Sequence, residues 1–332
     1  MAEKIRVGIV AGGMSSEHEI SCISAGGVLK AIDREKFEPV LIGITPEGDW
    51  VEPVVSQELS IKDGILPHIT SGTVKYAEEL IEGLDILFPI LHGPYGEDGT
   101  FQGLCEMLGI AYVGSGVLAS AVAMDKSFAK PIFASHGLHV ADGIVVSSID
   151  QIDTTSLTFP VFVKPARGGS SRGTSKVKNP EGVAAAVREA LNFDSKVLIE
   201  SAVIGREIEC AVLEIDGVPT ASALTEITIV GDHEFYDFDA KYLDGSTEFS
   251  DPLDLDTETY AEIQKSAVQA FTALGCRGLA RVDFFYAGGE IVINELNTMP
   301  GFTPTSVFPR LWQQAGLSYS ELITQLITSA LD

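Results

Sequence analysis

Apolar residues fall into short strand-length runs near the amino terminus and into helical repeats further on. Runs at residues 5–10, 39–44 and 85–90 have strand length, and a helical stretch around residues 25–32 separates the first two. Strand, helix, strand at these spacings predicts a parallel sheet covered by helices. A glycine-rich turn at residues 113–116 closes this first unit. The next segment predicts a helix over 124–133, a strand over 161–164 and another over 197–200. Between those strands, Asn179-Pro180-Glu181 has the form of a helix start, a capping Asn before a Pro in the first turn. Val183, Val187, Ala190 and Leu191 then recur at helical spacing. A third segment predicts a helix over 259–274, with Thr259 and Glu262 as a capping box and Gly275 as the stop. A hairpin over 279–297 follows, then a closing helix from Ser318 with Glu321 three residues on. The expectation is an α/β (α+β) protein of three units, residues 1–115, 116–204 and 205–332. With no repeat and no low-complexity linker, they should form one compact molecule.

The hairpin holds the densest chemistry. Side chains alternate faces along a strand, so Arg281 and Asp283 share a face, as do Glu295 and Asn297. A three-residue turn centred on Gly289 sets Asp283 opposite Glu295 and Arg281 opposite Asn297. The other face then carries Val282, Phe284, Tyr286, Val292 and Leu296, interrupted by Asn294. A two-residue Gly288-Gly289 turn sets Asp283 opposite Asn294 and throws Glu295 to the wrong face. In the first register two carboxylates and an amide oxygen form a hard-oxygen set suited to Mg²⁺. The same residues also read as a solvated face with Asp283 salt-bridged to Arg281. After the hairpin, Pro300-Gly301 predicts a tight turn whose backbone N–H could serve an oxyanion beside Arg281.

A second constellation handles anions. Lys164 ends a strand and opens the loop Pro165-Ala166-Arg167-Gly168-Gly169-Ser170-Ser171-Arg172-Gly173, whose glycines allow close backbone approach and an anion-binding nest. It lacks the Gly-Lys-Ser/Thr of a Walker A loop, and the amino-terminal Gly8–Gly13 stretch is not the dinucleotide fingerprint. Lys126 is a candidate second phosphate contact. The edge around Glu200 to Val203, with Glu207 nearby, could hold a base and ribose.

Charge sharpens this picture. The formal net charge of −25 and the lack of any basic cluster exclude nucleic acid as a partner. A nucleotide-binding protein this acidic must gather its few cations locally, so single lysines become informative. No apolar run reaches the ~20 residues needed to span a bilayer. The opening residues lack the basic head and long apolar centre of a secretory leader, so a cytoplasmic protein is expected. Cys22, Cys105, Cys210 and Cys276 are widely spaced, consistent with reduced thiols used as small core residues. His18, His68, His136 and His139 have no partners at ligand spacing and read as ordinary surface or core residues.

Several ordered strings together resemble the D-alanine–D-alanine ligase family across nearly the whole chain. They are Gly12-Gly13-Met14-Ser15-Ser16-Glu17-His18-Glu19, Leu91-His92-Gly93-Pro94-Tyr95-Gly96-Glu97-Asp98-Gly99, Gly114-Ser115-Gly116-Val117-Leu118-Ala119-Ser120, Met124-Asp125-Lys126, the Lys164 loop, and residues 295–301. The resemblance implies an ATP-grasp fold with ATP held between the second and third units. It implies Lys126 and Lys164 on the phosphates, Glu200 and Val203 at adenine, Glu207 at ribose, and Asp283, Glu295 and Asn297 holding two Mg²⁺ ions, for which Mn²⁺ can substitute. Glu17 would bind the ammonium of the first D-alanine, with His92 beside it. Ser306 and Gly301 would meet the second substrate and the intermediate. Ser170, Ser171, Lys241 and Tyr242 would lie on closing loops, Lys241 meeting the γ-phosphate, and Arg281 with Gly301 would stabilise the oxyanion. The expected partners are ATP and D-alanine, without nucleic acid or membrane, in a homodimer. Arg172 departs from the family pattern, in which small residues follow the paired serines.

Within the class the rivals are D-alanine–D-serine and D-alanine–D-lactate ligases. The loop at residues 235–243, with Lys241-Tyr242, resembles the dipeptide-forming members. A non-catalytic binding protein is the reading from another class. It would not need Arg281, Asp283, Glu295 and Asn297 together.

Overall fold

The computed structural model describes residues 3–53, 59–62, 64–229, 247–250 and 253–331. The first sheet is built from the expected apolar runs. β1 (Ile5–Gly12) pairs in parallel with β2 (Phe37–Ile44) and with β5 (Ile86–Pro89), and β6 (Ala111–Tyr112) extends it beyond β5. β3 (Trp50–Pro53) and β4 (Gly72–Val74) add an antiparallel edge, giving the order β4-β3-β2-β1-β5-β6. Helices α1 (His18–Ala31), α2 (Ala77–Ile81) and α3 (Thr100–Leu108) lie in its connections. The expected helix at 25–32 is the second half of α1, which starts earlier.

The single helix expected over 124–133 is two helices, α4 (Val117–Met124) and α5 (Lys126–Ser135). Asp125 breaks the run: its backbone is extended, and its side chain accepts from Ser127 N as the cap of α5. Beyond α5, the short β7 (His139–Val140) precedes β8 (Gly143–Val146). The antiparallel second sheet comprises β8, β9 (Val161–Pro165), β10 (Ser175–Val177) and β11 (Val197–Ser201) in the order β10-β9-β11-β8. α6 (Val183–Ala190) covers it. Asn179 makes no side-chain cap; instead Pro180 opens a short 3₁₀ turn leading into the helix. Val183, Val187 and Ala190 are fully buried in this unit's core.

The third sheet has the order β14-β13-β12-β15-β16-β7, from β12 (Arg206–Ile215), β13 (Val218–Ile229), β14 (Thr247–Ser250), β15 (Leu279–Ala287) and β16 (Glu290–Asn297). α7 (Thr257–Ala273) packs on it. Its cap is Asp256, whose carboxylate accepts from Thr259 N at 2.9 Å, rather than the expected Thr259–Glu262 box. Gly275 (φ 68°) does follow as the stop. α4, α5 and β7 join this sheet's core, through Ala119, Ala123, Phe133 and Leu138. The last helices, α8 (Val307–Gln314) and α9 (Tyr319–Ser329), share a core with the first sheet: Phe302, Phe308 and Leu322 pack with Val7, Ile9 and Phe88. α9 starts with the expected Ser318–Glu321 capping box. All four cysteines are free and buried, and burial pushes each thiol up to about 12, leaving no thiolate at neutral pH. Among the described residues no helix is long and apolar enough to cross a membrane.

Candidate active site

β15 and β16 place the four hairpin residues as opposed pairs, Arg281 with Asn297 and Asp283 with Glu295. The route differs from the expected three-residue turn. Ala287 pairs with Glu290 across a two-residue Gly288-Gly289 turn, both glycines with positive φ. A bulge between Asp283 and Phe284 then absorbs Asn294, so Phe284 meets Ile293 while Asp283 still meets Glu295. Val292, expected in the buried face, instead stands opposite Phe285 and lines a cavity, while Ile293 joins Val282, Phe284 and Leu296 in the core.

Charge on this face is balanced by ion pairs. Arg281 Nε and Nη2 donate to the two oxygens of Asp283, each at 2.7 Å, and Glu209 on β12 lies 3.2 Å from the same Nε. Burial works against the guanidinium's charge, but Asp283 and Glu209 outweigh it and hold its pKa well above the usual value. Asn297 Nδ2 donates to Asp283 at 3.2 Å. Lys126 Nζ lies 2.9 Å from Glu295 and donates to the Gly168 carbonyl at 2.9 Å. Two carboxylates and an amide from one hairpin face fit a magnesium ion, which takes few protein oxygens and keeps waters. Among the described residues no group of three or more His, Cys, Asp or Glu gathers as a metal site.

The face opens onto a cavity of about 320 Å³ between the second and third sheets. Lys126, Lys164, Ser170, Ser171, Glu200, Val203, Glu207, Asp283 and Glu295 all line it, so the expected nucleotide residues other than Lys241, and two of the expected metal ligands, converge. Lys164 Nζ lies 2.6 Å from Glu200 and 3.3 Å from Asn294 Oδ1. Lys130, which sequence reasoning passed over, contacts the other Glu200 oxygen at 2.5 Å. Its signal was its place one helical turn after Lys126. The phosphate loop is anchored at its start, where Arg167 forks onto Asp194 at 2.5 and 3.2 Å. At its crest Ser170 (φ 49°) and Ser171 (φ 56°) are both left-handed, a conformation costly for residues other than glycine and characteristic of functional loops. Arg172 lines the cavity, so its departure from the family pattern adds a cation there.

The first sheet contributes a second set of groups. β1 ends at Gly12 (φ 93°), where a Cβ would strike the Ile44 carbonyl, so the chain can turn sharply towards Glu17. Ser15 Oγ donates to the His92 carbonyl at 2.6 Å, tying the Gly12–Glu19 turn to the His92 turn. Glu17 is buried and accepts from Ser170 Oγ at 2.6 Å, which joins the phosphate loop to this unit. His92 is buried, and burial lowers its pKa, so the ring is neutral at pH 7. Its Nδ1 faces the Met299 carbonyl at 3.1 Å, which places the proton there. Ser306 Oγ accepts from Thr303 N at 3.1 Å, and a Cβ on Gly301 would lie 3.1 Å from it, so those two residues form one turn. His18 is a structural residue, bonded to Gly13 O and Ile69 N. Lys241 and Tyr242 lie outside the described residues, as does the rest of their loop.

Glu97 was also missed, although its motif was singled out. It accepts from Gly93 N at 2.7 Å, and burial, then the nearby Glu17, pushes its carboxyl from 4.5 up to about 8. The folded chain therefore holds a proton that the unfolded chain releases above 4.5. Stability from this group is lost as pH rises from 4.5 towards 8. In magnesium-free buffer the wild-type Tm should fall more steeply over that range than that of Glu97→Gln. Parallel slopes would remove Glu97 as the cause.

Comparison with known proteins bears on the whole chain. The family model described as D-ala D-ala ligase N-terminus matches residues 6–115, and that described as D-ala D-ala ligase C-terminus matches residues 133–328. A relative from Mycolicibacterium smegmatis, named D-alanine–D-alanine ligase, is 47% identical over 99% of this chain and 96% of its own length. One of the same name from Mycobacterium avium is 44% identical over 99% and 97%. Among solved structures, the VanG D-Ala:D-Ser ligase from Enterococcus faecalis superposes with TM-score 0.82 at 34% identity, covering 99% of this chain and all of that one. The D-alanine–D-alanine ligase from Bacillus anthracis complexed with ATP gives 0.77 at 28% identity, covering 98% and 97%. Models matched in both halves, and relatives sharing nearly half of its residues from end to end, establish the kinship: this chain belongs to the D-alanine–D-alanine ligase family, ATP-dependent ligases with the ATP-grasp fold.

Proposed function

We propose that the protein joins two D-alanine molecules, cleaving ATP to ADP and phosphate, and so supplies the dipeptide for peptidoglycan precursor synthesis. The observation that carries this reading is the shared cavity: the Asp283–Glu295 face and the two phosphate-side lysines open onto one space. In this reading Glu17 holds the ammonium of the first D-alanine, and neutral His92 lies beside it. The first carboxylate attacks the γ-phosphorus, giving an acylphosphate and ADP. Lys126 and Lys164 neutralise the phosphates, with Ser170 and Ser171 supplying the loop that covers them. Glu200 and Val203 take the adenine and Glu207 the ribose. Magnesium, held by Asp283, Glu295 and Asn297, supplies charge neutralisation at the transferring group. The amine of the second D-alanine, placed by Ser306, then attacks the acyl carbon and loses a proton as phosphate leaves. Arg281 and the Gly301 N–H face the oxyanion that forms between these steps.

The curated relatives at 44–47% identity are named for D-alanine alone, which favours the dipeptide over the depsipeptide or D-serine product. A homodimer in the cytoplasm completes the proposal, as do units at 1–115, 116–204 and 205–332, residues 117–140 packing on the third. The deciding experiment measures magnesium-dependent ADP and phosphate release with D-alanine, L-alanine, or D-alanine plus D-serine or D-lactate. Release with D-alanine alone and formation of the dipeptide supports the reading. Turnover only with D-serine or D-lactate would replace the proposed second substrate.

A further inference from the structure

Lys126 and Lys130 stand one turn apart on α5 and both reach the cavity, yet they meet different carboxylates. Lys126 pairs with Glu295 of the hairpin face. Lys130 lies 2.5 Å from Oε1 of Glu200, while Lys164, on the neighbouring strand, lies 2.6 Å from Oε2 of the same carboxylate. One anion is thus gripped by two cations, one on each oxygen.

The two grips are not equivalent. The Lys164 side chain is 14% exposed, begins the phosphate loop, and already has a second acceptor in Asn294. The Lys130 side chain is 8% exposed and rises from the middle of a packed helix. Lys164 can leave Glu200 for a phosphate. Lys130 stays, and without it the departure would strip a buried carboxylate of its counter-charge, which is costly. Burial favours the neutral acid at Glu200, but Lys130 and then Lys164 outweigh it and keep the group ionised.

We propose that Lys130 is a positioning residue for base specificity: it holds Oε1 of Glu200, so that Oε2, released when Lys164 turns to the nucleotide phosphates, faces the base as a fixed, ionised acceptor. A pure acceptor at that point welcomes the exocyclic amine of adenine and repels the carbonyl oxygen of hypoxanthine or guanine. The inference rests on the proposed adenine contact of Glu200 and adds what makes that contact selective.

The test is equilibrium binding of ADP and inosine diphosphate, which differ only in the base, in magnesium buffer. The wild type should prefer ADP by about 100-fold, since a site built around one donor rejects the analogue lacking it. Lys130→Met should lower that preference about tenfold or more by removing the fixed charge behind the acceptor. Lys130→Arg, which keeps the charge, should restore most of it. Glu200→Gln should lose the preference as well, and adding Lys130→Met to it should cost nothing further, because the residues act as one unit. This neutral double variant also gives a reading if Lys130→Met alone folds poorly. A Lys130→Met protein that weakens both nucleotides equally, leaving the ratio intact, makes Lys130 merely structural and overturns the inference. A wild type without preference overturns the adenine contact itself, and the inference with it.

Discussion

Arg281→Ala should lower kcat by about 100-fold or more, the scale of loss when a preorganised oxyanion partner is removed. The substitution also has a structural effect that separates it from a simple loss of substrate contact. Arg281 is the cation between Asp283 and Glu209, both buried, and removing it leaves two carboxylates facing each other across adjacent strands. Breaking a buried ion pair on one side typically costs about 3–5 kcal/mol. Tm should therefore fall, and fall less when magnesium is present, because a cation bound at Asp283 would offset the exposed negative charge. Arg281→Lys should recover stability better than turnover, since an ammonium balances charge but cannot reproduce the two-pronged contact with Asp283. Near-normal kcat in Arg281→Ala would refute its place at the reacting centre.

Asp283→Asn should behave in the opposite manner, costing far more turnover than stability. The amide matches the carboxylate in shape but turns one acceptor used by Arg281 or Asn297 into a donor. Arg281 keeps Glu209 as its counter-charge, so the stability loss should be about 1–3 kcal/mol, less than in Arg281→Ala. Turnover should drop by about 10³-fold, because an amide is a poor replacement for an anionic magnesium ligand whose contribution amounts to several kcal/mol. Nucleotide binding should survive, since Lys126, Lys164 and the Glu200 edge lie on other elements. The check is to measure ADP affinity, magnesium dependence and kcat on one preparation. Full activity, or an activity loss matched by unfolding, would remove Asp283 from the metal site.

Half of the hairpin face was legible, because strand alternation puts Arg281 with Asp283 and Glu295 with Asn297; whether the two pairs share a side depends on the turn and the bulge. The path of the turn was not legible, because a longer turn and a bulge place Asp283 opposite Glu295 equally well and differ only from Glu290 to Asn294. Asn294 carried the hint, as a polar residue in an apolar face. The break at Asp125 and the cap at Asp256 were hidden by local competition. In each case a carboxylate bonds a backbone N–H two or three residues on and resets a helix that periodicity would have run differently. Lys130, Glu97 and Glu209 were missed for a different reason. Lys130 and Glu209 meet partners on distant elements, and Glu97, bonded locally to Gly93, gains its shifted proton only where the fold buries it beside Glu17.

The bulge at Asn294 also makes the hairpin a matter of parity. An odd number of residues separates Asp283 from Glu295. An even-length turn must spend one residue in the strand for the two carboxylates to stay opposed, and an odd-length turn must spend none. A relative with one residue more in the turn and none in the bulge would keep the same opposed pairs while altering only the contacts of residues 290–294. Insertions and deletions in this hairpin should therefore come in compensating pairs, and an alignment that scores the turn and strand separately would count two differences where the fold has made one exchange.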